Sequence, residues 1–502
     1  MRFTIADSIA SRCIAHPGRP AMVTIGTDEE LSYSDVWRRI ASLTTAVSVC
    51  RKGRHGRLAG LLLPNGPDAA LALAACQRAG VVAVPINGRL TPPEMRHILT
   101  DADCGLLLSG GSFNEAAADL AEELGILPLR TEDISTASEF VRPELGDEEI
   151  GDAPSVVGYT SGTTGAPKGV IYTHDYYTMN NYRWGWQFGL ASDHTVLISG
   201  PMFHLSYAGF ALAALSIGAN IRIMTEFSAT IALDELQNES TFCFLVPSML
   251  AMIADEWNQR GRPPVPKARH ILTAGAPARR SLLLTAMGMF ADAKISEMYG
   301  WTEGTFVAFE TKARDSLVET CVGWPALDAD VALFDDDGEF SAEGEAGEVG
   351  VRSNVRFAGY LGGEDTAPAV NRHGYVISGD IGRWLPDGRL CIIDRKKDVI
   401  ISGGENVYTA EVEQALLAHE GIEEVAVVGL PDAKWGERVA ALVVPRSEAP
   451  LDAAGVIAFC RERIAGYKIP RTVGFAPQLP RNSMGKVQKF KVAEQLQAAV
   501  VS

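Results

Sequence analysis

Hydrophobic positions along this chain follow two patterns, the 3.6-residue period of amphipathic helices and the short continuous runs of buried strands. Residues 58–63 form an apolar run, residues 68–79 follow as a helical stretch, and residues 81–86 form a second apolar run. Strands and helices that alternate at this spacing predict a parallel sheet with crossover helices. We therefore expect an α/β fold for the first part of the chain.

Polar residues mark the boundaries of several predicted elements. The segment LSYSD at residues 31–35 precedes a helical pattern that extends to Val47, and either Ser34 or Asp35 is the expected N-cap. The longest uncharged apolar run, residues 205–221, is interrupted by Ser, Gly and Asn. Such a run predicts a buried helix followed by a strand rather than a transmembrane segment.

The pattern changes near residue 325. Residues 331–334, 348–351 and 388–394 are short apolar runs next to tight-turn residues, which predicts a β-rich subdomain. The charged residues 395–398 are a candidate domain junction. Beyond them, alternating helical and strand-like segments indicate a small α+β domain of about a hundred residues, a usual domain size.

The stretch YTSGTTGAPKGV at residues 159–170 combines glycines, hydroxyl side chains and one lysine between two apolar runs. Small residues let the backbone turn tightly with its N–H groups exposed, and such a concave loop binds anions. Hydroxyl groups add donors, and lysine adds a mobile positive charge suited to phosphate. We favour a phosphate-binding loop over a flexible surface loop. Its candidate binding residues are Thr160, Ser161, Gly162, Thr163, Thr164, Gly165 and Lys168.

A P-loop NTPase does not fit this stretch. Lys168 is followed by glycine rather than by serine or threonine, and the glycine spacing differs from G-x-x-x-x-G-K-[ST]. The residues after the loop also predict a strand, whereas a P-loop opens a helix.

Composition restricts the function classes. The formal net charge of −17 argues against a general nucleic-acid binder, although residues 461–502 carry eight Lys/Arg against two acidic residues. This basic tail fits either a solvated helix face or contact with an anionic ligand. The eight cysteines include no CxxC pair, so the sequence indicates no cysteine metal site. Because the N-terminus lacks a secretory leader, we expect a cytoplasmic protein.

Other candidate residues each have a structural alternative. His204 lies among large apolar residues in PMFHLSY, where a satisfied core histidine is the alternative to a functional one. The apolar run at residues 271–274 ends in the small-residue turn Gly275-Ala276-Pro277. Such a turn lets a flat ring approach the backbone closely.

Two carboxylates and one aromatic residue complete the candidate set. In EMYGWTEG, Tyr299 can stack on a base, and Glu303 can bind Mg²⁺ beside phosphates. Asp380 follows the apolar run in GYVISGDI, where it can accept both hydroxyls of a ribose or merely cap the turn.

Six motifs occur in order along the chain: YTSGTTGAPKGV, TAGAPA, MYGWTEGT, GYVISGDIG, IIDRKKDVIISGGENVY and PRNSMGKVQK. In this order and spacing the chain resembles the adenylate-forming acyl-CoA synthetases. That family also contains 4-coumarate–CoA ligases, firefly luciferases and the adenylation domains of peptide synthetases. The resemblance extends from about residue 31 to Lys486.

The resemblance implies a ligase that works in two steps. A carboxylate attacks the α-phosphate of ATP to give acyl-AMP and pyrophosphate, and the thiol of CoA then displaces AMP. Because the attack brings anions together, such a site must supply positive charge and positioning. The implied cofactors are ATP, Mg²⁺ and coenzyme A as co-substrate. The expected partner is a small-molecule carboxylic acid, without nucleic acid or a transmembrane segment, and a homodimer is left open.

An architecture is implied as well. Residues 1–394 would form a large N-terminal domain of stacked α/β subdomains plus a β-rich subdomain. Residues 395–397 would form a hinge centred on Lys397, and residues 398–502 a small mobile α+β lid. The lid would close for adenylation, since it carries Lys486, and rotate for thioester formation.

The resemblance also implies residue roles. The loop at residues 160–168 would hold the β- and γ-phosphates, while the loop SGGENVY at residues 402–408 of the lid would line the thiol channel. Lys486 would bridge the acyl carboxylate and the α-phosphate, and His204 would gate the acyl carboxylate. The implied catalytic residues are Lys486, Thr302, His204 and Glu303, and Glu303 is also the implied metal ligand. Besides the loop, the implied binding residues are Gly275, Ala276, Pro277 and Tyr299 for adenine, and Asp380 and Arg395 for ribose. Gly403 and Gly404 would form part of the thiol channel.

Two positions carry information about this particular chain. Gly300 stands where acetyl-CoA synthetases have tryptophan, so the expected acid is larger than acetate: medium- or long-chain, alicyclic or aromatic. Thr409 stands where relatives commonly have proline, and little consequence is expected. The alternatives are a ligase that loads a carrier protein and a non-catalytic paralogue that only binds nucleotide, but the intact Lys486, Glu303 and Asp380 argue against the latter.

Overall fold

The computed structural model describes residues 4–49, 58–135, 151–160, 167–318, 320–355, 357–362, 370–402, 405–432, 434–446, 451–481 and 487–501, with the backbone alone at residues 160 and 499–501. The chain divides into two compact units. The first comprises Met1–Val331 and Val351–Ile377, and the second comprises Ala332–Gly350 and Ser378–Ser502. The expected lid, residues 398–502, belongs to the second unit, and its boundary with the N-terminal domain stays a prediction.

One sheet of the first unit has a parallel centre with antiparallel strands at its ends. Its strands are β1 (Pro20–Thr24), β2 (Glu30–Ser32), β9 (Thr195–Ile198), β10 (Asn220–Ile223), β11 (Phe242–Leu245), β12 (His270–Thr273), β13 (Lys294–Trp301), β14 (Thr305–Thr311) and β15 (Cys321–Pro325). They lie in the order β15-β14-β13-β12-β11-β9-β10-β1-β2. The run β13-β12-β11-β9-β10-β1 is parallel, while β1–β2, β13–β14 and β14–β15 are antiparallel.

The second sheet of the first unit carries the predicted phosphate loop. Its strands are β3 (Leu58–Leu62), β4 (Val82–Pro85), β5 (Cys104–Ser109), β6 (Leu127–Arg130), β7 (Pro154–Thr160), β8 (Lys168–Thr173) and β18 (Gly359–Tyr360), in the order β18-β8-β7-β4-β3-β5-β6. The parallel β3–β4 pair confirms the predicted sheet with crossover helices. Strands β7 and β8 are antiparallel, so a strand does follow the loop as predicted.

The helices of the first unit are α1 (Ile5–Ala15), α2 (Tyr33–Val47), α3 (Pro67–Ala79), α4 (Pro92–Asp101), α5 (Asn114–Leu124), α6 (His174–Phe188), α7 (Leu205–Ile217), α8 (Ala229–Asn238), α9 (Pro247–Gln259) and α10 (Arg280–Met289). Helix α7 and strand β10 confirm the buried helix and strand predicted for residues 205–221. Among the helices within the described ranges, none is long and apolar enough to cross a membrane.

The predicted N-cap of α2 was wrong. Ser32 is the N-cap, and its side chain accepts a hydrogen bond from the backbone N–H of Asp35, whose carboxylate accepts in return from the N–H of Ser32. This reciprocal pair requires the acidic residue at the third helical position, so the helix begins earlier than the apolar pattern alone indicates.

The second unit contains a β-rich part and a small α+β part. The first has strands β16 (Asp330–Phe334), β17 (Gly347–Arg352), β19 (Val376–Trp384) and β20 (Leu390–Arg395), the first three of which begin or end in the first unit. The second has strands β21 (Ile400–Ser402), β22 (Glu405–Val407), β23 (Ile422–Asp432), β24 (Gly436–Pro445) and β25 (Thr472–Phe475), with helices α11 (Thr409–Leu417), α12 (Ala453–Arg461) and α13 (Lys489–Val501). Their order β22-β21-β24-β23, with β25 also paired to β24, forms one sheet.

Alternating residues of β23 build two cores on the two faces of that sheet. Val425 and Val427 belong to a cluster with residues of α11 and α12, whereas Ala426 and Val428 belong to a cluster with residues of α13. This alternation follows from the two-residue period of a strand. The small domain is therefore covered on both sides by its own helices.

Candidate active site

Several predicted site residues of the first unit lie at or just after the ends of neighbouring strands, along one edge of the sheet. The parallel register pairs Leu245 with Thr273 and Thr273 with Glu297. The segments that follow β11 and β12 therefore emerge beside the end of β13, the edge at which open α/β sheets bind ligands. The turn at residues 275–277 is exposed, and Tyr299 is half-buried beside it in the register. Gly275 has φ +90°, a conformation that favours glycine.

A fully buried ion cluster lies beneath this turn. Lys312 has a completely buried side chain, and its Nζ lies 3.0 Å from a carboxylate oxygen of Glu297 and 2.8 Å from one of Glu310. The other oxygen of Glu297 accepts a hydrogen bond from the backbone N–H of Ala278 at 3.0 Å. The cluster thus anchors the end of the exposed turn. Glu297 directly precedes the MYGWTEGT motif, but nothing in the sequence connected it with Lys312.

The hairpin of β13 and β14 explains Gly300. A Cβ atom at this position would lie 1.8 Å from the backbone oxygen of Thr305, at a register shift between Tyr299 and Gly300. Thr305 itself has φ +55°. In this backbone geometry only glycine fits, so its presence does not by itself indicate an open acyl pocket. Trp301, the next residue, is half-buried with its ring 5.8 Å from that of Tyr299.

The turn that carries Thr302 and Glu303 is tied to the phosphate-loop sheet. The hydroxyl of Tyr172 on β8 donates to the backbone oxygen of Thr302 at 2.8 Å, and the N–H of Phe357 donates to that of Glu303 at 3.3 Å. The hydroxyl of Tyr360 on β18 donates to Oε1 of Glu303 at 2.8 Å. Both sheets of the first unit therefore meet at Glu303.

The same tyrosine links Glu303 to the predicted phosphate loop. Lys168, exposed at the start of β8, places its Nζ 5.6 Å from the centre of the Tyr360 ring. Burial and the hydrogen bond to Glu303 raise the pKa of Tyr360, so it remains a proton donor at neutral pH. Tyr172 and Tyr360 were missed by sequence reasoning. Tyr360 lies 57 residues from its partner, and only the pairing of β18 with β8 brings it there.

The donor set around Glu303 suits Mg²⁺. In the described part of the chain, no group of three or more His, Cys, Asp or Glu side chains could hold a metal ion by themselves. Magnesium is usually bound by one or two carboxylates together with substrate phosphates and water. A single half-buried carboxylate fits that mode, and it does not fit an all-protein metal cage.

His204 is held as a neutral imidazole. It lies at the N-cap of α7 without capping the helix through its side chain, and its ring is 4.5 Å from that of Phe203. Burial lowers its pKa to about 4, with a smaller contribution from the positive charge of Arg89. A neutral ring can donate or accept a hydrogen bond, but it adds no positive charge to the site.

The remaining predicted residues that are described belong to the second unit. Asp380 is buried and lies opposite Arg395 across β19 and β20, with Arg395 Nε 2.6 Å from Asp380 Oδ1. Lys397 is exposed in the short turn Lys396–Asp398. The other predicted residues lie outside the described residues, or in one case have only a described backbone: Ser161, Gly162, Thr163, Thr164, Gly165, Gly403, Gly404 and Lys486, and the side chain of Thr160.

Comparisons with known proteins match almost the whole chain. Residues 9–361 match the family model of the AMP-binding enzymes, and residues 411–486 match that of the AMP-binding enzyme C-terminal domain. A feruloyl-CoA synthase from Amycolatopsis sp is 34% identical over 92% of this chain and 93% of its own.

Two solved structures are similar over nearly their full length. ATP-bound MatB from Rhodopseudomonas palustris superimposes with a TM-score of 0.86 at 25% identity, over 98% of both chains. The o-succinylbenzoate CoA synthetase MenE from Bacillus subtilis, in complex with its acyl-adenylate intermediate, gives a TM-score of 0.84 at 28% identity, over 97% of both chains.

Proposed function

The chain belongs to the AMP-binding enzyme family of adenylate-forming acyl-CoA synthetases, and we propose that it is an ATP-dependent acid–thiol ligase for a carboxylic acid larger than acetate. The observation that carries the proposal is the convergence of Lys168, Tyr360 and Glu303. It joins the glycine-rich loop and the acidic motif, which are far apart in the sequence, in one region of the first unit.

In the first step a carboxylate oxygen attacks the α-phosphorus of ATP, the bond to the bridging oxygen breaks, and pyrophosphate leaves. Lys168, exposed at the end of the loop, supplies positive charge for the leaving phosphates. Thr302 contacts the α-phosphate from a turn that Tyr172 holds in place. Glu303 is the residue that would hold Mg²⁺, which would neutralise phosphate charge when bound.

Nucleotide specificity is assigned to two places. The exposed turn at residues 275–277 and the ring of Tyr299 accommodate adenine. The buried ion cluster around Lys312 holds this turn in position through the bond from Ala278 to Glu297. Asp380 accepts hydrogen bonds from the ribose hydroxyls, and its ion pair with Arg395 holds the carboxylate in a fixed orientation.

In the second step the sulfur of CoA attacks the acyl carbonyl and AMP leaves. We assign Lys486 to the first step, Gly403 and Gly404 to the thiol channel, and Lys397 to the hinge between the two steps. A neutral His204 suits a position beside the acyl group, where it can hydrogen-bond without forming an ion pair.

An aromatic acid is the favoured substrate class. The feruloyl-CoA synthase and the o-succinylbenzoate CoA synthetase are both named for aromatic acids. Because this hairpin geometry accepts only glycine at position 300, the proposal of an acid larger than acetate rests on these relatives and not on Gly300.

Pyrophosphate release tests the proposal. The full-length protein would be assayed with ATP, Mg²⁺ and a panel of cinnamic, medium-chain, long-chain and alicyclic acids plus acetate, with and without CoA. We expect acid-dependent release with an aromatic acid and thioester formation once CoA is added, and neither with Lys486→Ala. Adenylation without thioester formation would favour a carrier-protein ligase, and release without any acid would contradict the proposal.

A further inference from the structure

Thr409 is a hydrogen-bonding centre in the second unit, contrary to the expectation that its departure from proline has little consequence. It is the first residue of α11 and is 1% exposed. Its hydroxyl donates to Asp394, with Oδ2 at 2.8 Å and Oδ1 at 3.1 Å, and it accepts a hydrogen bond from Nζ of Lys489. Proline has no hydroxyl and could make neither contact.

Asp394 acts as the missing cap of α11. The N-cap residue Tyr408 makes no side-chain capping bond, but the N–H of Ala410 donates to Asp394 Oδ2 at 3.2 Å. The backbone N–H of Arg395 donates to Oδ1 of the same carboxylate at 2.7 Å. A negative charge near a helix N-terminus is favourable, and a buried carboxylate needs such partners. The end of β20 is thereby bonded to the start of α11.

Lys489 connects a third segment to the same point. It is the first residue of α13, immediately after the stretch that leads from the PRNSMGK motif. Besides Thr409, its Nζ lies 3.3 Å from Glu413 and 3.9 Å from Asp398. The three segments that meet at Thr409 are therefore the strand before the predicted hinge, the first lid helix and the helix after Lys486.

We propose that Thr409 is a positioning residue that latches the lid in one of its two working orientations. The inference rests on the proposed function, in which residues 398–502 rotate about Lys397. Asp394 precedes that hinge, whereas Thr409 and Ala410 follow it. With the hinge at Lys397, Asp394 stays with the preceding domain although it lies in the same compact unit as Thr409, so rotation of the lid would break the bonds from Thr409 and Ala410 to Asp394. A proline at position 409 would remove the hydrogen bond from the Thr409 hydroxyl to Asp394 and leave only the bond from the backbone N–H of Ala410.

Half-reaction kinetics test this latch. Pyrophosphate release without CoA measures adenylation, and thioester formation from pre-formed acyl-adenylate measures the second step. In Thr409→Val and Thr409→Pro, the ratio of the two rate constants should shift about tenfold in the same direction, because the loss of a hydrogen bond to a charged group changes the balance between orientations. Thr409→Ser, which keeps the hydroxyl, should retain the wild-type ratio. An unchanged ratio, or an equal loss of both steps, would overturn the latch.

Hydrogen exchange gives a second readout that needs no substrate. Backbone amides of residues 395–410 should exchange about tenfold faster in Thr409→Val than in the wild type, and Thr409→Ser should match the wild type. Faster exchange in a protein that adenylates no acid would support the bond between Thr409 and Asp394, but it would contradict the proposed function and the latch that depends on it. Unchanged exchange would overturn the latch whatever the activity.

Discussion

Buried histidines illustrate how single residues in this protein respond to pH. Burial lowers the pKa of His174, His204 and His270 to about 4. His270 shows what the neutral form does: one ring nitrogen lies 3.2 Å from the carbonyl oxygen of Phe188, so it carries the proton, and the other lies 2.8 Å from the hydroxyl of Ser296. Protonation of the second nitrogen would disturb this arrangement.

Stability should therefore fall on acidification. Below about pH 6.5 the unfolded chain binds protons at these histidines, whereas the folded chain does so only near pH 4, so the free energy of unfolding decreases as pH falls between these values. Between pH 7 and pH 5, His174 and His270 should each lower the free energy of unfolding by roughly 1–2 kcal/mol. Urea denaturation at pH 7 and pH 5 measures this. His270→Asn should reduce the pH dependence of the free energy of unfolding, whereas replacement of the exposed His16 by Asn should not. If the free energy of unfolding changed equally with pH in both variants, the role assigned to His270 would be contradicted.

Lys312 is the second residue whose removal should have a large effect. Lys312→Met leaves the buried carboxylates of Glu297 and Glu310 without their cation, which should lower the free energy of unfolding by roughly 3–5 kcal/mol. The KM for ATP should rise as well, because Glu297 anchors the turn at Ala278. Chemical denaturation and steady-state kinetics measure the two effects.

A surface ion pair provides the control for Lys312. Arg96 pairs with Glu123 at the surface, where solvent screens the ion pair, so Arg96→Gln should leave the free energy of unfolding almost unchanged. Similar losses in both variants would contradict a special role for the buried cluster.

At the scale of an element, the β13–β14 hairpin is the part of the fold that the site depends on. It carries Tyr299, Thr302 and Glu303, and it is shaped by the close approach of Gly300 to the backbone of Thr305. A Cβ atom at position 300 would clash with the backbone oxygen of Thr305, so a side chain there would push these two strands apart. Tyr299, Thr302 and Glu303 would be displaced with them.

Gly300→Ala should therefore reduce adenylation by about a hundredfold, since displacement of catalytic groups by about 1 Å has effects of that size. Gly288→Ala is the matched control, because position 288 is exposed in α10, an added methyl group would have no neighbouring atom within 4 Å, and alanine favours helices. Pyrophosphate release measures both variants. Near-normal adenylation by Gly300→Ala would show that the hairpin adapts and that the backbone contact is not required.

At the scale of the whole molecule, the predicted function depends on movement at Lys397. Lys397→Pro should restrict the backbone of residues 396 and 397 and prevent the change of dihedral angles that a hinge needs. We expect adenylation to persist and thioester formation to fall at least roughly tenfold, whereas Lys397→Ala should retain both. Half-reaction assays separate the steps, and an equal loss of both in the proline variant would argue against a hinge at this residue.

The sequence by itself determined the family and the reaction, because these follow from local motifs and their order. It also identified β8 after the glycine-rich loop and the buried helix at residues 205–217, since hydrophobic periodicity is a local property. The start of α2 was misplaced because Ser32 and Ser34 are both acceptable caps and only the reciprocal bonds with Asp35 distinguish them.

Only the tertiary structure decided which side chains support the site. Tyr360 contacts Glu303 because β18 pairs with β8, Lys312 meets Glu297 because β14 folds back along β13, and Thr409 meets Asp394 because α11 starts beside the end of β20. Each contact joins residues separated by at least 15 positions, a distance over which periodicity and propensity carry no information. Strand order and register set these distances, and they arise from the packing of the whole chain.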